Sequence, residues 1–159
     1  MEQILEILKD NARATPEEIA AMIGVPVSKV KKTIKQAEED KTILKYKTMI
    51  NWSRLGREEV WALIEVKVTP QREVGFDSIA ERIYRFPEVH SCQLVSGTYD
   101  LAIFVKGKNM QEIASFVSEK LAPLETVQGT CTHFLLKRYK EDGEILEPVK
   151  EVKRLPIMP

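Results

Sequence analysis

The sequence predicts an α+β chain: an N-terminal winged helix-turn-helix followed by a ferredoxin-like βαββαβ domain. Three observations point there. Apolar residues recur at helical spacing up to about Ala37, strict alternation takes over from Glu59, and one segment, residues 23 to 57, gathers the positive charge of a chain with no net charge.

With 159 residues, 43% apolar and 30% charged, the composition is that of a folded protein of one large or two small domains. No apolar run approaches the roughly 18 to 20 residues that span a bilayer. The opening Met1-Glu2-Gln3-Ile4-Leu5-Glu6 carries acids where a signal peptide needs basic residues, so a cytoplasmic location and no membrane partner are expected. Cys92 and Cys131 are too few for a disulfide framework and are read as reduced.

Residues 23 to 57 hold nine basic side chains (Lys29, Lys31, Lys32, Lys35, Lys41, Lys45, Lys47, Arg54 and Arg57) against the three acids Glu38, Glu39 and Asp40. That local excess is the footprint a phosphate backbone requires. Ile4, Leu5, Leu8 and Ala12 make the stripe of a first helix. Thr15-Pro16-Glu17-Glu18 is a capping box with Pro at the first helical position, opening a second helix with stripe Ile19, Ala20, Met22 and Ile23, which Gly24 ends. A third helix starts at Pro26 or Ser28; it buries Val30, Ile34 and Ala37 and turns Ser28, Lys32, Lys35 and Gln36 outward, flanked by Lys29 and Lys31. A Lys-rich amphipathic helix alone is usually just a solvated face. The capped preceding helix, the Gly turn and the local charge favour a helix-turn-helix on double-stranded DNA, with Ser28 and the lysines able to reach base edges and phosphates.

Residues 43–50 are β-prone and basic, and are expected to form a wing in which Lys45 and Lys47 face phosphates. Residues 1–50 are thus the DNA-binding domain, and 51–58, with turn chemistry ending in Gly56, the linker. Domain 59–140 begins with a strand that alternates Val60, Ala62, Ile64, Val66 and Val68 with Trp61, Leu63, Glu65 and Lys67. A helix carries Phe76, Ile79, Ala80, Ile83 and Phe86, closed by Pro87; a strand runs from Val89 to Ser96; Gly97-Thr98-Tyr99-Asp100 turns into Leu101–Val105. Met110, Ile113, Ala114, Val117 and Leu121 mark a second helix, and a last strand runs from Val127 to Tyr139.

Helices on one face of a four-stranded antiparallel sheet leave the other face open. Trp61, Leu63, Phe104 and Leu135 on it need a cover, and a twofold homodimer is the commonest solution. The Pro-punctuated extension 141–159, with Val149, Val152 and Leu155, leaves two readings open: packing on a neighbouring subunit, or disorder.

Phe86-Pro87-Glu88-Val89, Val95-Ser96-Gly97-Thr98-Tyr99-Asp100-Leu101 and Val127-Gln128-Gly129-Thr130-Cys131-Thr132, set behind a winged helix-turn-helix, make the chain resemble the Lrp/AsnC (feast/famine) regulators over residues 1 to about 140. The resemblance implies a DNA-binding transcriptional regulator that dimerises through its C-terminal domain, associates further into tetramers or octamers, and binds an amino-acid effector between dimers. Carried over by position, the effector site comprises Ser96, Gly97, Thr98, Tyr99 and Asp100 and, across the interface, Thr130 and Thr132. Asp100 or nearby carbonyls would accept from the ammonium, amides and hydroxyls near Gly97 and Thr132 would donate to the carboxylate, and Tyr99 would wall the side chain. The competing reading of Gly97 and Asp100 is that they only shape a hairpin.

Two other functions stay open. Siroheme decarboxylase subunits resemble the same two-domain architecture, and a sensing module could have lost DNA binding. No Ser/His/Asp or Cys/His spacing, phosphate-cradling loop or set-apart carboxylate pair supports catalysis, and no cofactor is expected. His90-x-Cys92 and Cys131-x-His133 each put a thiol and an imidazole on one side of a strand, but the ferredoxin-like order holds those strands at opposite edges, so no metal site is expected within one protomer.

Overall fold

A computed structural model describes residues 1–56, 59–70 and 75–146. The chain divides into two compact units, Met1–Ile50 and the remainder from Asn51.

The first unit is three helices, α1 (Glu2–Asp10), α2 (Pro16–Ile23) and α3 (Val27–Glu39). Its core is Ile4, Leu8, Ala14, Ile19, Ala20 and Val30, with Ile7, Ile23, Val25, Val27, Ile34 and Ile43 packed against it. Helix α2 starts as its sequence dictates: Thr15 Oγ1 accepts from Glu18 N–H at 3.2 Å, and the Glu18 carboxylate accepts from Thr15 N–H at 2.8 Å. It ends at Gly24, whose φ of +68° is left-handed and cheap only without a Cβ. Of the two expected starts, Pro26 is the N-cap of α3, whose first residue is Val27, and Ser28 lies one residue inside. Met22, expected in the α2 stripe, is 67% exposed, because Ile19, Ala20 and Ile23 already fill the inward side of a helix only eight residues long.

No strand forms between residues 43 and 50. A strand needs a partner for its backbone groups, and none lies beside this stretch among the described residues; Tyr46 instead donates its hydroxyl to Glu38 at 2.8 Å.

The second unit opens with a short 3-10 turn, Trp52–Leu55, and then runs β1 (Val60–Val68), α4 (Gly75–Tyr84), β2 (Val89–Leu94), β3 (Leu101–Gly107), α5 (Met110–Phe116) and β4 (Val127–Phe134). The sheet is antiparallel in the order β2-β3-β1-β4. Ala62, Ile64, Val66 and Val68 of β1 and Leu101, Ile103 and Val105 of β3 pack under Ile79, Ile83, Ile113, Phe116, Leu121 and Leu124. This is the face that the alternation assigned to the core. Helix α5 widens into a π turn over Val117–Leu121, where Ala122 N–H reaches Val117 O at 2.8 Å. Phe116 and Leu121 are inside, whereas Met110 and Ala114 of the expected stripe are exposed.

Strand β4 stops at Phe134, not Tyr139. Leu135 N–H still reaches Trp61 O at 2.8 Å, but β1 begins one residue before Trp61 and offers nothing further to pair with. The chain turns away; Arg138 stacks on the Trp61 ring at 4.8 Å and holds Glu141 through Nη1 at 2.8 and 3.0 Å. Lys140–Glu141 and Glu144–Ile145 then form a two-stranded hairpin. Arg57 of the basic segment, part of the expected linker and residues 147–159 of the C-terminal extension lie outside the described residues.

Candidate functional site

In the first unit, Val30 and Ala37 are fully buried on α3, and Ser28, Lys29, Lys31, Lys32, Lys35 and Gln36 are exposed. The six are not equivalent. Lys31 Nζ lies 2.8 Å from Glu17 of α2, and this bond, above all, lowers the Glu17 carboxyl below its usual range. Lys35 Nζ is 3.8 Å from Glu39 one turn on. Lys29 and Lys32, like the exposed Lys45 and Lys47, have no carboxylate within 4.0 Å among the described residues. Ser28, Lys32 and Gln36 follow one another at i, i+4, i+8, so they form a single outward row with Lys29 beside its N-terminal end. Lys45 and Lys47 lie on an irregular segment without a ladder, so no sheet fixes their direction.

In the second unit, residues 96–100 form the bend between β2 and β3, with Ser96, Gly97 and Thr98 exposed and Tyr99 and Asp100 half-buried. Asp100 ties the bend to β1. Its Oδ2 accepts from Val68 N–H at 2.9 Å, its own N–H donates to Val66 O at 3.1 Å, and Lys67 Nζ sits 3.8 Å from the carboxylate while donating to Thr98 O at 3.3 Å. One oxygen of the expected ammonium acceptor is therefore already engaged in holding the hairpin.

Val66 pairs with Leu101 on one side and with Thr130 on the other. The bend and Thr130 thus share one end of the sheet, roughly 10 Å apart across two strand spacings. Thr132 pairs with Ile64, further from the bend, and both threonines lie on the helix-covered side, half-buried.

Strands β2 and β4 occupy opposite edges, so His90 and Cys92 are held away from Cys131 and His133. Cys92 pairs with Ile103 and packs on the core, where burial pushes its thiol up. On the open face, however, Cys131 stands directly opposite Glu65, and His133 Nε2 lies 3.2 Å from Glu65 Oε1. The sequence held both ends of this cluster, but the register that joins them to β1 is invisible in it. Trp61, Leu63, Phe104 and Leu135 occupy the same open face, all half-buried; Trp61 has the His90 ring edge-on at 4.9 Å as well as Arg138 above it.

Comparison with known proteins gives concordant results. Family models match at both ends, winged helix-turn-helix DNA-binding over residues 2–43 and the Lrp/AsnC ligand binding domain over residues 61–145. YugG of Bacillus subtilis, an uncharacterized HTH-type transcriptional regulator, is 51% identical over 158 residues, covering 99% of this chain and 95% of its own. The HTH-type transcriptional regulator FL11 of Pyrococcus furiosus is 29% identical, covering 93% of each chain. Among solved structures, AsnC of E. coli superposes with a TM-score of 0.69 at 20% identity, over 87% of this chain and 91% of that one. The Neisseria meningitidis regulator NMB0573 in complex with L-Met does so with a TM-score of 0.70 at 24% identity, over 87% and 89%. These two likenesses establish the fold.

Proposed function

The chain belongs to the Lrp/AsnC family of transcriptional regulators, and from that premise we propose that it binds double-stranded DNA through the outward row of α3 and adjusts that binding to an amino acid held at the 96–100 bend. The observation that carries the DNA half is the exposure of Ser28, Lys29, Lys32 and Gln36 on a helix seated by Val30 and Ala37, with both lysines free of carboxylate partners among the described residues. Ser28, Lys29 and Lys32 reach base edges or phosphates, Gln36 follows along the row, and Lys31 and Lys35 join once phosphate displaces Glu17 and Glu39. Lys45 and Lys47 add phosphate contacts from the segment after α3.

The effector half rests on the ligand-binding family of the second unit and on a bend whose Ser96, Gly97 and Thr98 are exposed. Ser96, Gly97 and Thr98 supply amides and hydroxyls for a carboxylate, Tyr99 lines the side chain, and Thr130 and Thr132 come from a neighbouring subunit. Asp100 offers its remaining oxygen to the ammonium. That the Neisseria meningitidis relative was solved with L-Met makes an amino acid the first class to try.

A homodimer closes the open face over Leu63, Phe104 and Leu135, and tetramers or octamers follow by further association. Two recognition helices then meet successive major grooves roughly 34 Å apart, which calls for imperfectly palindromic operators. Because the relatives are bacterial and archaeal regulators, we read this chain's DNA binding as cytoplasmic work. Their names are those of regulators, so we read the chain as non-catalytic, and tight haem or siroheme binding by the purified protein would overturn that.

The test is a salt-titrated binding assay on the protein's own upstream DNA, repeated with each amino acid at millimolar concentration. Sequence preference with a steep salt slope, shifted by one amino acid, is expected. Binding that no amino acid shifts discards the sensor, and no binding at low salt discards the regulator.

A further inference from the structure

The geometry points to a transition-metal site on the open sheet face, made by Glu65, Cys131 and His133 and suited to zinc or a zinc-like divalent ion. One ligand atom from each of the three lies within 4.8 Å of the others. Glu65 and Cys131 are cross-strand partners of β1 and β4, and His133 is two residues beyond Cys131 on the same face. The three donors are thus fixed by a paired ladder rather than by loops, which is the rigidity a ligand set requires.

The donor set selects the metal. A thiolate with an imidazole and one carboxylate suits a borderline ion of the zinc type, whereas magnesium and calcium take oxygen donors. Three protein donors leave a fourth tetrahedral position for water. Bonds of about 2.0 to 2.3 Å require the donors to close in from their present separation. Within one protomer Cys131 and His133 are exposed and can do so, and nothing stands where a Cβ on Gly129, the next position along this face, would sit. Because His133 stands opposite Leu63, the homodimer proposed above would enclose the site rather than leave it on an open surface. Lys67, beside Glu65 on the strand, is drawn off to Thr98 O and Asp100 and does not place its charge in the site. On the other flank of Glu65 the partner is Ala102, which contributes no competing donor.

Bound metal would link β1 to the edge strand β4 with ligands from a single chain, so the site requires neither DNA nor effector. The test uses the full-length, untagged, reduced protein. Cobalt(II) titration should saturate at one equivalent per chain and give a thiolate-to-cobalt charge-transfer band with the intense visible bands of four-coordination; zinc should bleach both and raise Tm as its concentration rises. Cys131→Ser should abolish the charge-transfer band. Glu65→Gln and His133→Gln should each weaken binding by more than the roughly 10- to 100-fold that outer partners of a ligand cost. All three changes are near-isosteric or exposed, and circular dichroism of the metal-free variants checks their fold. Cys92→Ser should leave the titration unchanged. Failure of the wild-type protein to take up one equivalent, or a charge-transfer band that survives Cys131→Ser, overturns the assignment and leaves Glu65 and His133 as an ordinary polar contact across two strands.

Discussion

The carboxylate of Asp100 accepts the backbone N–H of Val68 at 2.9 Å, fastening the β2–β3 bend to the end of β1. The bond is part-buried, and removing the acceptor strands a donor that water reaches poorly. Asp100→Ala should cost the second unit about 1–3 kcal/mol, the usual penalty for a buried donor left unpaired. Asp100→Asn keeps a carbonyl oxygen in place and should cost less. Urea denaturation followed by Trp fluorescence measures both, since Trp52 and Trp61 lie in that unit. Equal midpoints for wild type and Asp100→Ala would show that the bend holds without the carboxylate, leaving ligand binding as its use.

On α3 the lysines divide into paired and unpaired. Lys29→Ala with Lys32→Ala removes two cations with no nearby carboxylate, and the slope of log K against log salt should flatten by about 1.8, or roughly 0.9 per lost phosphate contact. Lys31→Ala with Lys35→Ala should flatten it less, because Glu17 and Glu39 already offset those charges and are released when the lysines go. Equal slopes for the two double variants would remove the distinction.

Period-two alternation from Val60 to Val68 made β1 and its buried face legible, and the Thr15–Glu18 box and Gly24 made both ends of α2 legible, because each signal is carried by neighbours in sequence. What failed depended on distant partners. The stretch 43–50 has strand composition but no strand beside it; β4 ends where β1 begins, a limit set by a residue far away in the chain. The Glu65–Cys131–His133 cluster exists only through the β1–β4 register, and Asp100's bond to Val68 only through the hairpin's position on the sheet. Local pattern gives elements; cross-strand register gives sites.

Phe104 lies half-buried on the open face, opposite Leu63. If that face is the subunit interface, Phe104→Glu buries an unpaired charge there, and desolvation disfavours association by several kcal/mol. The expected result is a monomer in sedimentation equilibrium with unchanged far-ultraviolet circular dichroism, since the core lies on the opposite face. A variant that remains dimeric would move the interface off the sheet.

Acid should loosen the first unit in a defined way. The Glu18 carboxyl is held below its usual range, first by the Thr15 backbone N–H and then by the Thr15 hydroxyl, and Glu17 is lowered chiefly by its bond to Lys31. A carboxyl whose folded pKa is depressed binds its proton more readily in the unfolded chain. Its stabilisation is complete above the ordinary glutamate range and disappears as pH falls through the lowered folded value. Hydrogen exchange of amides in residues 1–50 should therefore reveal weakening protection as pH drops through that window, once intrinsic exchange rates are corrected. Glu18→Gln keeps an acceptor for Thr15 N–H but cannot titrate, so its protection should fall less steeply. Thr15→Ala should lower protection at every pH by about 1 kcal/mol, the typical cost of a lost N-cap. Parallel pH profiles for wild type and Glu18→Gln would show that other carboxylates govern the acid limit.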